Sequence, residues 1–412
     1  MSIRPSALPR APAAPARGKV SLGLVAQVAL GAAALTLYVL VLIQGAERHQ
    51  DFNAYLQAGQ DLIHGRPLYA TFLHHPFPDA TLRPAFIYPP AFAILVASLA
   101  IVPAWLSIAL WLIVCQAALL ATLAIVIRAE RPSVPAVVAV LCLTLTFYPL
   151  WVDVIQGQAN LLILLLVTAG IVGVARARPA WAAAIGIAAA LKLTPLLLLG
   201  WLLVERRFRE AAWLLGGFTL VTAVGALVRP VDTIAFFTQV LPALAKGTAF
   251  YANYSVSGLL ARAFTVNPYT DPWLALRFES LLPAGAALLL GGLWLWRGRR
   301  GSPLHRALTF LPLLPLLSAV TWSHHLVLLL PVLWVAIISN ARRGWPVGET
   351  AALAAVTVTL SLVARWSFGP AFGHPGFRAA QTMDPAVFVV ANSLLLGTLG
   401  LFLLAPWLLR SR

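Results

Sequence analysis

Residues 20–45 carry no charged side chain, and apolar runs of comparable length recur to the far end of the chain, at 104–127, 133–150, 158–175, 209–229, 274–296, 303–320, 324–341, 347–366 and 384–409. A helix of about 20 such residues spans the hydrocarbon core of a bilayer, and this repetition limits the fold more than any other feature. Hydrophobic residues make up 60% of the chain and charged residues only 10%, against roughly 25% charged in a soluble domain. The sequence therefore predicts an all-α, polytopic integral membrane protein of about 10–12 transmembrane helices, with long extracytoplasmic loops and short interfacial helices.

The net charge of +16 comes from 29 basic against 13 acidic residues. Most of the excess is arginine in short clusters beside apolar runs: Arg128/Arg131, Arg176/Arg178, Arg206/Arg207/Arg209, Arg297/Arg299/Arg300, Arg342/Arg343 and Arg410/Arg412. That is the positive-inside pattern, so no nucleic-acid partner is expected. Residues 1–19, rich in Pro, Ala and Arg, read as a disordered cytoplasmic tail. Residues 20–412 read as a single transmembrane domain. The first apolar run is too long for a signal-peptide core and is taken as an uncleaved span. Cys115 and Cys142 both lie inside apolar runs, which excludes a disulfide framework.

Two segments are ambiguous. Residues 89–102 are short for a crossing, and 179–204 is interrupted at Lys192–Pro195, where proline breaks or kinks a helix. If the first dips in without crossing and the second is a broken, re-entrant pair, every basic cluster and both termini fall on the cytoplasmic side. Conventional crossings give a 12-span alternative with two clusters outside. Under the first scheme the loops 46–88, 230–273 and 367–383, the QGQAN turn and the WSHH turn share the outer face of a cell membrane. The polar, non-basic motifs lie there, so any chemistry faces outward.

The stretch ERHQDFNAYLQAG (47–59) leads into a short amphipathic helix over 52–64, with Phe52, Tyr55, Leu56, Leu62 and Ile63 on one side and Gly65 and Pro67 as its stop. Asp51 is either its N-cap or a carboxylate at a cavity mouth that takes a proton from a substrate hydroxyl; the two roles are compatible. In FIYPPAF (86–92) the tandem prolines start a helix, and Tyr88 suits the interfacial aromatic belt. WVDVIQGQAN (151–160) places Asp153, Gln156, Gln158 and Asn160 at one membrane boundary, more amides than capping requires and good ligands for sugar hydroxyls. Asn253, in NYSVSGLLARAF (253–264), joins them as a sugar or acceptor ligand at the start of a loop leading into an amphipathic helix.

Lys192 is the one lysine inside an apolar segment. A cation there costs roughly 3 kcal/mol and marks a site facing a cavity, unless it snorkels to the interface. Its functional reading is a partner for phosphate at membrane depth. Trp322, His324 and His325 stand at an outer boundary, where adjacent helical residues diverge by about 100° and do not share a metal. Arg83, Lys246 and Arg262 are outer-face cations suited to an anionic ligand. No phosphate loop, dinucleotide fingerprint or metal-spacing motif occurs, so no cofactor and no metal is expected.

Taken in order, DFNAYLQAG with HGRPLY, FIYPPAF, QGQANLLILL, AAALKLTPLLLL, NYSVSGLLAR and WSHHLVLLLP resemble glycosyltransferase family 87 of the GT-C superfamily, over about residues 45–340. The resemblance implies helices around a cavity open to the extracytoplasmic side, a polyprenyl-phosphate mannose donor and an acidic base in the first outer loop. That base falls on Asp51. Phosphate handling falls on Lys192, His324 and His325, with Arg83 as a further cation, and Asp153 is the substitute base. In-line attack by a lipid or glycan acceptor hydroxyl would invert the anomeric carbon. The rival readings are a multispan transporter or flippase, which predicts internal repeats, and a polysaccharide polymerase or ligase for a lipid-linked glycan, which calls for several strong cations together.

Overall fold

The computed structural model describes residues 22–75, 85–276, 281–298, 301–366 and 377–410. The tail 1–19, Arg83, Arg299, Arg300, Arg412 and residues 367–376 of the last outer loop lie outside the described residues. Among those described the architecture is all-helical, with no strand.

Four single helices are long and apolar enough to cross a membrane: Ala29–Arg48, Ala104–Glu130, Phe208–Val228 and Ser323–Arg342. Two bent pairs bring the number to six: Val134–Thr146 with Tyr148–Gln156, at 50°, and Pro385–Ala391 with Ser393–Leu408, at 73°. The remaining apolar helices are 10–17 residues long. The expected 10–12 spans are therefore reached only by counting short and broken helices. Proline positions explain several breaks. Pro149 sits in the first turn of the second member of the first bent pair and Pro385 opens the first member of the second, where the missing N–H costs no helical hydrogen bond. The run expected at 133–150 thus divides at Phe147, and its second part continues to Gln156.

The basic clusters gather at one end of the bundle. Arg342 donates to Glu130 at 2.7 Å, Arg306 to Glu205 at 2.7 Å and Arg176 to the Arg128 carbonyl at 3.4 Å. Arg343 pairs with Glu349, which Arg410 approaches at 3.6 Å. Leu304 and Leu308, beside Arg306, share a recess with Val126 and Glu130. Segment 179–204 leaves this end as the helix Ala182–Leu191 and breaks at Lys192, whose backbone is extended. It resumes at Thr194–Leu197 and returns through Leu198–Val204 to Glu205. The outgoing arm crosses Phe208–Val228 very closely, and a Cβ on Gly186 would lie 1.9 Å from the Leu214 carbonyl oxygen. Small residues permit such an approach between membrane helices. Segment 89–102 forms the helix Pro90–Ala97 and a 3₁₀ turn to Ile101, with Gly59 of the helix Gln50–Ile63 packed on it.

That helix begins two residues earlier than expected. Its N-cap is His49, without a side-chain cap bond, so Asp51 lies within the first turn and is not the cap. Phe52, Tyr55, Ala58 and Gly59 form its buried face, whereas Ile63 is 46% exposed. The face is set by protein packing, because Phe52 stacks on Trp111 (5.3 Å between centroids) and Tyr55 meets Phe92 edge to face (4.9 Å).

Candidate active site

The QGQAN turn is built from two helix ends. Tyr148–Gln156 stops at Gly157, whose φ of 69° is left-handed and natural for glycine. The Gln158 N–H returns to the Asp153 carbonyl at 2.9 Å, and the next helix, Asn160–Ala175, starts at once. Trp111 Nε1 donates to the Gly157 carbonyl at 2.8 Å, tying the turn to Ala104–Glu130. A side chain at 157 would strike the Phe52 Cβ, 2.7 Å from where its own Cβ would sit. This reversal brings Asp153, Gln158 and Asn160 together, all three buried.

Two chains of hydrogen bonds leave the turn. In the first, Gln158 Nε2 donates to Asp51 Oδ2 at 2.5 Å. Its Oε1 accepts from Tyr55 Oη at 2.7 Å and Tyr88 Oη at 3.0 Å. In the second, Asn160 Nδ2 donates to Asp153 Oδ1 at 2.7 Å, and Asn160 Oδ1 accepts from Lys192 Nζ at 2.6 Å. Lys192 Nζ also lies 5.5 Å from the centre of the Tyr88 ring, within cation–π range. Asp51 and Lys192 are thus presented by two residues of one turn, with no carboxylate–ammonium contact between them. Burial pushes the Asp51 carboxyl above its ordinary range, while the Gln158 hydrogen bond and the Lys192 charge pull the other way.

Lys192 and Asn160 also line a recess with Thr194, Pro195, Pro315, Thr321 and His325. His325 faces it, and His324 is buried alongside with its rings 4.7 Å from those of His325 and its Nδ1 without a partner. The extended backbone at Lys192 and the helix break after it aim the ammonium at this recess, so Lys192 does not snorkel to a helix end. Among the described residues no three His, Cys, Asp or Glu side chains converge as a metal cluster would.

Several sequence candidates are placed elsewhere. Asn253 is fully buried, donating to the Thr248 and Ala319 carbonyls and accepting from Ser255 and from Thr321 N at 2.9 Å. Every polar atom of its amide is used in holding the wall behind Thr321, so none is left for a sugar. Arg262 is likewise internal, donating to the Phe250 and Asn253 carbonyls and to Asn392 Oδ1 at 2.9 Å. It ties the helix Val256–Phe264 to the 385–408 bend and offers nothing to an anion. That helix and its Ser255 cap appear where the sequence indicated. Lys246 is exposed at the end of Leu241–Ala245. Trp322 meets Phe250 edge to face at 5.9 Å, and Gln156 Oε1 is buried without a partner.

Two tyrosines were missed in the sequence. Tyr88 is not a belt residue: it is buried, stacked on Phe92 at 4.7 Å and bonded to Gln158. Tyr55 reads in the sequence only as part of an apolar face. Its position four residues after Asp51, one helical turn on, was the available signal.

The glycosyltransferase family 87 model matches residues 86–320, more than half of the chain. A polyprenol-phosphate-mannose-dependent alpha-(1-2)-phosphatidylinositol mannoside mannosyltransferase of Mycobacterium tuberculosis is 28% identical over 346 residues, covering 77% of this chain and 75% of that protein. A phosphatidylinositol pentamannoside mannosyltransferase of the same species is 26% identical over 360 residues, covering 83% and 78%. The mannoside enzyme of Mycolicibacterium smegmatis is 29% identical over 346 residues, covering 75% and 74%. With its polytopic helices and this match, which takes in Tyr88, the QGQAN turn and Lys192, the chain belongs to glycosyltransferase family 87.

Proposed function

We propose that this chain moves a hexose, mannose, from a polyprenyl-phosphate donor to a lipid or glycan acceptor on the extracytoplasmic face, inverting the anomeric carbon. Its helices form a GT-C-like domain over residues 20–412, with the arginine-rich end in the cytoplasm and the Asp51–Lys192 end outward. The observation that carries this reading is that Asp51 and Lys192 both hang from the QGQAN turn without neutralising each other.

The donor keeps its polyprenyl chain in the bilayer and brings its phosphate to Lys192 and His325, with His324 behind. As the bond from anomeric carbon to phosphate oxygen breaks, negative charge grows on the leaving phosphate, and a fixed ammonium stabilises that charge most in the transition state. Asp51 accepts the proton of the attacking hydroxyl from the opposite face of the sugar. A carboxyl raised by burial is a stronger base near neutral pH than an exposed one. Acceptor binding falls to the groups around Asp51, with Trp322 as a sugar or acceptor ligand and Arg83 as a further cation for the donor phosphate. The donor identity rests on what the mycobacterial relatives are named for.

The test is release of polyprenyl phosphate from synthetic polyprenyl-phosphate mannose by the purified protein in nanodiscs, with candidate lipid acceptors, beside Asp51→Asn. Turnover that vanishes in a folded Asp51→Asn protein is expected. Equal turnover in both removes Asp51 as the base, and no turnover with any polyprenyl-phosphate sugar removes the transfer reading.

A further inference from the structure

Gln158 and Asn160 have the composition of sugar ligands, yet their amide atoms are committed inside the protein. A carboxylate oxygen only accepts and a lysine amine here donates, so each amide has one workable orientation. Gln158 shows its N–H to Asp51, and reversed it would press Oε1 against a carboxylate oxygen at 2.5 Å. Asn160 shows its oxygen to Lys192, and reversed it would set N–H against the amine at 2.6 Å. Behind each amide stands a buried group that completes its bonding: the Tyr55 and Tyr88 hydroxyls donate to Gln158 Oε1, and Asp153 Oδ1, which only accepts, takes the Asn160 N–H. Neither carboxylate touches Lys192 directly, so the amides, not ion pairs, set where the charges point.

We propose that Gln158 and Asn160 are positioning residues of opposite polarity, the first holding Asp51 and the second holding Lys192, with Asp153 the buried anchor of Asn160. This assignment rests on the transfer reading above and changes two earlier expectations. The turn amides do not bind sugar, and Asp153 is not a reserve base. Asp153 is 1% exposed, and its second oxygen has no partner, so an incoming hydroxyl has no route to it. The one-residue gap between Gln158 and Asn160 fixes the separation of base and cation, because both side chains spring from the same rigid turn. The groups around Asp51 are Tyr55 on its own helix, Tyr88 and Gln158 opposite, and Lys192 and Asp153 beyond.

The experiment is a polarity swap in nanodisc-held full-length protein, reading turnover and melting temperature for Asp153→Asn, Asn160→Asp and the double variant. Each single variant is close to isosteric and is expected to lower turnover about 10²-fold through misplacement of Lys192. In the double variant the new amide at 153 donates to the new carboxylate at 160, which accepts from Lys192 in turn. Melting should rise above that of Asn160→Asp, while turnover stays low, because the carboxylate at 160 now pairs with Lys192. Gln158→Leu should move the acid limb of the pH–rate profile upward, because a hydrogen bond favouring ionised Asp51 is gone; a packing role alone would leave that limb in place. The proposal is overturned by wild-type turnover in Asp153→Asn, by a double variant melting no higher than Asn160→Asp, or by an unmoved acid limb in Gln158→Leu. A wild type without turnover sinks the transfer reading instead. The melting temperatures then decide the polarity alone, and a double variant melting no higher than Asn160→Asp overturns it.

Discussion

Charge is handled in opposite ways at the two ends of this bundle. At the arginine-rich end carboxylates are held directly by guanidinium groups: Arg306 and Arg207 hold Glu205, Arg342 holds Glu130, and Arg343 holds Glu349. Around the QGQAN turn Asp51, Asp153 and Lys192 are interleaved with amides and hydroxyls, and among the described residues none of the three forms an ion pair. A paired charge is spent on holding helices together. One held through an amide keeps its field for something that arrives later. The first end is scaffold, and the second has the arrangement of a site.

The sharpest way to break that contrast is to remove one charge from the second end. Asp51→Asn should lower sugar transfer by about 10³-fold, in the range of a lost general base, with a melting temperature near that of wild type. An unchanged rate would make Asp51 scaffold after all. Lys192→Met should cost about 10²-fold, the scale of one preorganised donor to a developing oxyanion, measured as polyprenyl phosphate released at saturating donor. A gain in melting temperature should accompany the loss, since an unpaired buried amine is removed.

A pH profile sharpens the comparison without mutation. Asp51 must be ionised to accept a proton, and burial raises its carboxyl. The acid limb of kcat/KM should therefore lie above the ordinary carboxylate value of about 4, with activity rising as pH increases through it. A limb at the ordinary value would mean that the base is solvated and elsewhere. The smallest effect is expected at the scaffold end. Glu349→Gln should cost about 1 kcal/mol of stability, read as a modest fall in melting temperature, and leave turnover within about twofold of wild type. A large loss of turnover there would erase the distinction between the ends.

Much of this organisation could be read in the chain. The break at Lys192 follows from LKLTP, because Pro195 supplies no N–H to the preceding turn, and the gathering of arginines follows from their placement beside apolar runs. The anomaly of Lys192 inside such a run marked the site, as did Asp51 at the head of a polar helix. Other residues misled because pattern reports composition and not partners. Asn253 and Arg262 look like free outer-loop ligands, yet both are consumed by carbonyls brought from residues 319 and 250 and, for Arg262, by the side chain of Asn392. Tyr88 looks like a belt aromatic until Gln158 reaches its hydroxyl across 70 positions of chain.

By itself, then, the sequence determined what is local: the apolar runs, the prolines that interrupt them, the QGQAN turn and the side on which arginine collects. Those depend on the backbone and its nearest neighbours, or on transfer into lipid, which each segment meets alone. Only the tertiary structure decided which polar groups face one another. A hydrogen bond needs two atoms within about 3 Å, and for Asp51, Gln158 and Lys192 that proximity exists only after helices distant in sequence have packed.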